Sequence, residues 1–206
     1  MEVLWPGVPA ELCLAVSAQQ DQQLQVYWGL LQRWNKVYNL TAVRDPVQML
    51  SLHLWDSLAV VPFIQADHCL DVGSGAGLPG LPLAILRPSQ EFTLLDTNGK
   101  KTRFIQQAAL ELGLTNLKVV QARVEQWQPA QPFAAIISRA FASLADFVTV
   151  SGMHLAAQGR LYAMKGRYPE SELAELPAGW ILVRSHPLSV PGLEAERHLL
   201  ELTRTA

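Results

Sequence analysis

Residues Leu70 to Gly80 read LDVGSGAGLPG, an apolar run that ends in an acid and gives way at once to glycines at 73, 75, 77 and 80. Glycine alone lets a backbone turn this tightly and lets a ligand lie against the main chain where any Cβ would collide. The stretch predicts a strand, a tight loop and a helix. From Asp67 onward the chain keeps that rhythm. The apolar runs HCLDV, EFTLLD, LKVVQA, FAAIIS and GRLYAMK alternate with the helical stretches GLPLAIL, GKKTRFIQQAALELG and SLADFVTVSGMHL. Parallel strands need crossover connections, so a mostly parallel sheet with helices on both faces, an α/β fold, is expected. Two last strand candidates, AGWILVRSHPLSV and ERHLLELTR, have no helical pattern between them and predict an antiparallel closing hairpin.

The first third of the chain reads differently. From Ala10 to Leu40 no proline interrupts, and Leu24, Tyr27, Trp28, Leu31, Trp34, Val37 and Tyr38 recur at steps of three and four, as on one buried helix face. Asp45 can accept from the free amides of a new helix while Pro46 fills its first turn, so a second helix is expected from there to Val61, ending at Pro62. The organisation implied is a helical arm over 1–65 and an α/β domain over 66–206, which suits a chain of 206 residues. Half the residues are hydrophobic and 17% are charged, enough apolar surface to offset the entropy of ordering the chain. The longest apolar run, Leu58 to Ile64, falls far short of the roughly 20 residues that cross a bilayer. The first residues carry Glu2 and Glu11 and no basic cluster, unlike a secretory leader, so a cytoplasmic protein without a membrane partner is expected. Cys13 and Cys69, with no second pair, predict two buried reduced thiols.

The glycine loop implies a nucleotide. Gly75, Gly77 and Gly80 also fit the G-x-G-x-x-G pattern of dinucleotide folds, but Asp71 followed by glycines 73, 75 and 77 resembles the D-x-G-x-G-x-G loop of S-adenosylmethionine-dependent methyltransferases. Gly73, Gly75, Gly77 and Leu78 are then the candidates for cofactor contact. Asp96 closes the next strand, where an acid can accept both ribose hydroxyls of an adenosine or simply cap the following helix. Ala122-Arg123-Val124-Glu125 follows the third strand at the expected adenine position, with Val124 to pack on the ring and Glu125 to meet its edge, a placement that rests on topology. After the fourth strand comes Ser138-Arg139-Ala140-Phe141, without the Asn/Asp-Pro-Pro-aromatic motif in which base-amine methyltransferases resemble one another. Neither cysteine stands there to serve as the nucleophile that base-carbon methylation needs. What remains is an acceptor that is already nucleophilic, served by alignment and electrostatic support rather than proton removal.

The stretches NLTAV (39–43), HLWDSL (53–58), DVGSGAGLPG, LLDTNGKKTRF, ARVE, ISRAF and MKG follow one another across residues 39–166. Together they give a chain that resembles the bacterial 16S ribosomal RNA guanine-N7 methyltransferases, the glucose-inhibited division protein B family. The resemblance implies a class I methyltransferase fold, S-adenosyl-L-methionine as cofactor, and methyl transfer to N7 of one guanine in small-subunit ribosomal RNA, free or within the subunit or an assembly intermediate. N7 has an in-plane lone pair and no proton, so no general base is assigned. A cation aimed straight at N7 would oppose the positive charge that moves onto the purine. Arg139 is therefore expected at the cofactor end of the cleft, holding a carboxylate by paired hydrogen bonds.

The net charge of −2 conceals a segregation: residues 100–167 hold nine basic against three acidic side chains, a local +6 that leaves −8 elsewhere. Lys100, Lys101, Arg123 and Lys165 fall near loops at the carboxyl ends of strands, the edge where open α/β sheets bind ligands, and are expected to meet RNA phosphate. His53 and Asp56, three apart on one helix face, could reach the cleft from the arm, but are rather expected to pair with each other. Histidine spacing shows neither HxH nor HxxxH, so no metal is expected. Two other readings remain at this point. One is a small-molecule methyltransferase with the same loop, which would want a substrate lid of its own; the other is a nonenzymatic nucleotide sensor.

Overall fold

In the computed structural model, which describes residues 5–139 and 141–205, seven strands make one sheet: β1 (His68–Val72), β2 (Glu91–Asp96), β3 (Leu117–Gln121), β4 (Phe133–Ser138), β5 (Leu155–Lys165), β6 (Trp180–Pro187) and β7 (His198–Arg204). Glu2 and Ala140, used above, lie outside the described residues. The order is β3-β2-β1-β4-β5-β7-β6. The first five strands run parallel, and β7 enters antiparallel between β5 and β6. β1 sits between β2 and β4 with Cys69 through Val72 buried, as a strand covered on both faces must be. Strand order reverses beside β1, so its carboxyl end faces a crevice at the switch point. Helices α4 (Gly80–Leu86) and α5 (Gly99–Glu111) join the apolar cluster of one face, and α6 (Leu144–Gly152) that of the other.

The arm's long helix, α1, runs Ala18–Tyr38 rather than from Ala10. Ala10–Leu12 is a separate 3-10 turn, and Cys13 follows in the left-handed region at φ 52°. The physical start is Ser17, whose hydroxyl accepts from Gln20 N while the Gln20 side chain accepts from Ser17 N, a capping box. Cys13 is exposed, so the expectation of two buried thiols holds only for Cys69. Leu24, Tyr27, Trp28 and Leu31 are buried and Trp34 packs on Phe104, but the stripe ends there, with Val37 69% and Tyr38 45% exposed. The polar side of α1 is also used: Gln20 Nε2 donates to the carbonyls of Ile85 and Leu86, and Gln23 Nε2 to that of Leu112. Those are the last-turn carbonyls of α4 and the C-cap carbonyl of α5, which their own helices cannot satisfy. One apolar cluster runs from Leu24 through Leu81 to Phe104, so arm and sheet share a core.

The single second helix expected to Val61 is broken. Asp45 accepts from Val47 N and Gln48 N and starts α2 (Pro46–Met49) as its residues predict. A π-helical segment over Leu50–Trp55 and a short α3 (Asp56–Leu58) follow. Pro62 lies inside a 3-10 turn, Val61–Phe63, instead of stopping a helix. Apolar spacing does not distinguish a π turn from an α turn over one or two turns, which is why the break was not foreseen. A further short helix, α7 (Glu170–Ala174), also lacks an apolar periodicity to announce it. Among the described residues no helix is long and apolar enough to cross a membrane.

Candidate active site

The loop after β1 is built by its own backbone. Gly73 N and Ser74 N donate to Leu95 O at 2.8 and 3.1 Å, folding the turn back onto β2, and Gly77 N and Leu78 N both donate to Ser74 O. Gly73, Gly75 and Gly77 take φ of 72°, 60° and 83°, which side chains rarely tolerate. Asp71 anchors the far end, its Oδ2 accepting from Gly80 N at 2.9 Å. Its Oδ1 is buried with no hydrogen-bond partner among the described residues. Burial pushes this carboxyl up to about 7, against the Gly80 amide, Arg139 and Ser74, which favour the charged form. From the arm, the buried Tyr27 hydroxyl donates to Ala76 O at 2.7 Å, fixing the middle of the loop. Sequence reading placed Tyr27 in an apolar stripe and missed this second use; a tyrosine rather than phenylalanine at a buried position was the available signal.

Asp96 stands at the end of β2, its Oδ2 accepting from Gly75 N and its Oδ1 from Asn98 N, each at 2.8 Å. It therefore closes the glycine loop and keeps lone pairs for further donors. Val124 opens a 3-10 turn after β3; its side chain is buried and its carbonyl accepts from His154 Nε2, while Glu125 is exposed. A cleft of about 180 Å³ lies against the loop, with Gly73, Ser74, Gly75, Leu78, Lys101 and Arg139 in its walls.

Arg139 reaches that cleft from the end of β4, and its guanidinium is held from behind. Nη1 donates to Leu52 O at 3.2 Å and to Asp56 Oδ2 at 3.1 Å. Asp56, 2% exposed, also pairs with Arg197 Nε at 3.2 Å through its other oxygen. The expected His53–Asp56 pair is thus replaced, because in a π turn residues three apart no longer stack on one face. His53 instead sets Nε2 against the Thr41 hydroxyl and Nδ1 on Leu52 O at 2.9 Å. Burial and the neighbouring Arg139 charge push it down to about 4, so the ring is neutral at pH 7.

The four basic residues expected on RNA separate. Lys100 and Arg123 are exposed. Lys101 is half-buried, its ammonium about 4 Å from where a Cβ on Gly75 would stand, which makes it a wall of the cleft. Lys165 is engaged: its ammonium meets Glu172 at 2.8 Å and the carbonyls of Phe141 and Ala142 at 3.3 and 3.2 Å, and its side chain is 12% exposed. Its partner lies on the unforeseen α7, so Lys165 ties β5 to that helix in this structure. Among the described residues no group of three His, Cys, Asp or Glu side chains could hold a metal.

Strand order, switch-point crevice and glycine loop together define a class I S-adenosylmethionine-dependent methyltransferase fold. A methyltransferase from Thiobacillus denitrificans solved with S-adenosyl-L-homocysteine shares that fold at a TM-score of 0.52, with 12% identity over 73% of this chain and 90% of that one. The particular family is settled by sequence. Residues 20–200 match the family model for rRNA small subunit methyltransferase G, GidB, and the chain belongs to that family. The ribosomal RNA small subunit methyltransferase G of Marinobacter nauticus is 54% identical over 204 residues, 97% of this chain and 95% of that protein. The protein of the same name from Pseudomonas aeruginosa is 55% identical over 198 residues, 95% and 92% of the two chains.

Proposed function

We propose that this protein methylates N7 of one guanine in 16S ribosomal RNA of the small subunit, in the cytoplasm, with S-adenosyl-L-methionine as donor. The observation that carries the reading is the cradle after β1. Gly73 and Gly75, both at positive φ, leave main chain bare in the wall of a cleft whose other walls include Lys101 and Arg139, which suits a ligand lying against the backbone. Gly73, Gly75, Gly77 and Leu78 would line the cofactor, Asp96 would accept its ribose hydroxyls, and Val124 and Glu125 would flank its adenine. Arg139 would hold its carboxylate, with Nη1 already anchored on Asp56 to aim the remaining donors. When bound, the cofactor supplies an electrophilic methyl group on a sulfonium. The chain's own residues have no proton to remove from N7; they align the base and keep water out. His53 stays neutral beside Arg139 and so adds no positive charge where the purine becomes cationic.

Purified protein is incubated with methyl-labelled S-adenosyl-L-methionine and small ribosomal subunits from cells lacking its gene, and the label is mapped by digestion. Label in a single N7-methylguanosine of 16S RNA is the expected result. Cofactor binding without label in that RNA would overturn the assignment in favour of a small-molecule acceptor.

A further inference from the structure

A second cavity, about 410 Å³, adjoins the glycine-loop cleft and shares His53 and Arg139 with it. Its volume lies within the range that encloses small organic ligands. Val43, Leu52, Met164 and Leu188 supply apolar wall and Arg197 a cationic edge, the pairing that a flat heterocycle with acceptors on its rim requires. Most of the nearby polar groups are already engaged. Lys165 is held by Glu172, and both His53 nitrogens have partners. Arg139 lines both cavities. Arg197 lines the second cavity and not the first; its Nε stands 3.2 Å from Asp56 Oδ1 as an ion pair outside hydrogen-bond geometry, its Nη1 donates to Glu196 O at 2.8 Å, and among the described residues its Nη2 has no hydrogen-bond partner.

We propose that this cavity holds the target guanine, that Arg197 donates to its O6, and that Asp56 is the positioning residue that fixes both Arg197 and Arg139. The inference rests on the reaction proposed above and names the site of its acceptor. One free Nη2 engages O6 and leaves the N7 lone pair open, whereas a bidentate grip on O6 and N7 would block it. Asp56 sits between two guanidiniums, and its negative charge offsets theirs where the methylated purine gains a positive one. Its burial at 2% exposure means that an arginine that swings away leaves one buried carboxylate oxygen without its cation.

The test pairs enzyme variants with an altered base. Small subunits are reconstituted with 16S RNA carrying either guanine or 2-aminopurine, which keeps N7 and lacks O6, at the labelled position. Wild-type protein should favour guanine by about tenfold or more in kcat/KM, as expected for one hydrogen bond from a charged donor. Arg197→Met should lose that preference while its cofactor Kd, measured by calorimetry, stays within about twofold; Arg197→Lys should recover part of it. Asp56→Asn should weaken the preference in the same direction. Retention of the full preference by Arg197→Met, or a loss of cofactor affinity in step with activity, would overturn the assignment of the cavity. No label from wild-type protein on guanine-containing subunits would instead remove the reaction on which the inference rests.

Discussion

Asp71 concentrates the chemistry of the loop in one buried carboxyl. Its pKa stands near 7 in the folded protein against 3.8 for the free group. The folded state therefore binds a proton between about pH 4 and 7 that the unfolded state has released, and stability falls across that window as pH rises. The penalty is absent below the unfolded value and complete above the folded one, and it amounts to a few kcal/mol, on the order set by the displacement. Asparagine can still accept from Gly80 N but never ionises. The stability of Asp71→Asn relative to wild type, measured by urea unfolding of the cofactor-free proteins, should thus rise from pH 5 to pH 8. A difference independent of pH over that range would mean that Asp71 is not the group that titrates. Arg139 and Asp96 act on this carboxyl in opposite directions, and neither reverses the effect of burial.

At the scale of elements, two glycines in helices separate by what surrounds them. A Cβ on Gly80 would stand 2.7 Å from both Asp71 Oδ2 and the Leu94 side chain, at the junction of β1, β2 and α4, while one on Gly29, inside α1, meets nothing within 4 Å. Gly80→Ala should destabilise by about 1–3 kcal/mol, the usual result of overpacking. Gly29→Ala should stabilise by about 0.5–1 kcal/mol, because only backbone entropy changes. Thermal unfolding of the two variants checks both signs, and a stabilised Gly80→Ala would contradict the packing described for the loop. The elements themselves were largely legible. HCLDV, EFTLLD and FAAIIS coincide with β1, β2 and β4 because short apolar runs bounded by turn residues have few other places to go. The π segment and the short α7 were not, since neither changes the apolar spacing, whereas the late start of α1 did have a local signal, the Ser17-x-x-Gln20 capping box, that the apolar stripe overshadowed. The glycine loop and Asp96 could be read because each ends a strand that its own apolar run announces, although the two meet across 21 positions. The cluster of Asp56, Arg139 and Arg197 could not, because a contact between residues so far apart in sequence is set by the fold and not by any local pattern.

Over the whole molecule, the positive segment 100–167 divides into charges that are free and charges that are engaged. Lys100 and Arg123 are exposed near the carboxyl edge of the sheet, beside the cleft that Lys101 lines, whereas Lys165 is neutralised by Glu172 and Arg160 pairs with Glu201 at 3.2 Å. A local +6 is therefore not a +6 available to phosphate. If Lys100 and Arg123 each meet one phosphate of the proposed RNA substrate, each contributes about 0.7–0.9 to the slope of log K against log salt concentration. The double variant Lys100→Ala/Arg123→Ala should lower that slope by about 1.4–1.8 in titrations with small-subunit RNA, and should keep wild-type thermal stability because neither side chain is buried. Lys165→Ala should do the reverse: it leaves the slope unchanged and lowers the unfolding temperature, since Glu172 and two carbonyls lose the donor that ties α7 to β5. An unchanged slope in the double variant would move the RNA-facing charge away from this edge. A reduced slope for Lys165→Ala would show that its bond to Glu172 opens when RNA binds.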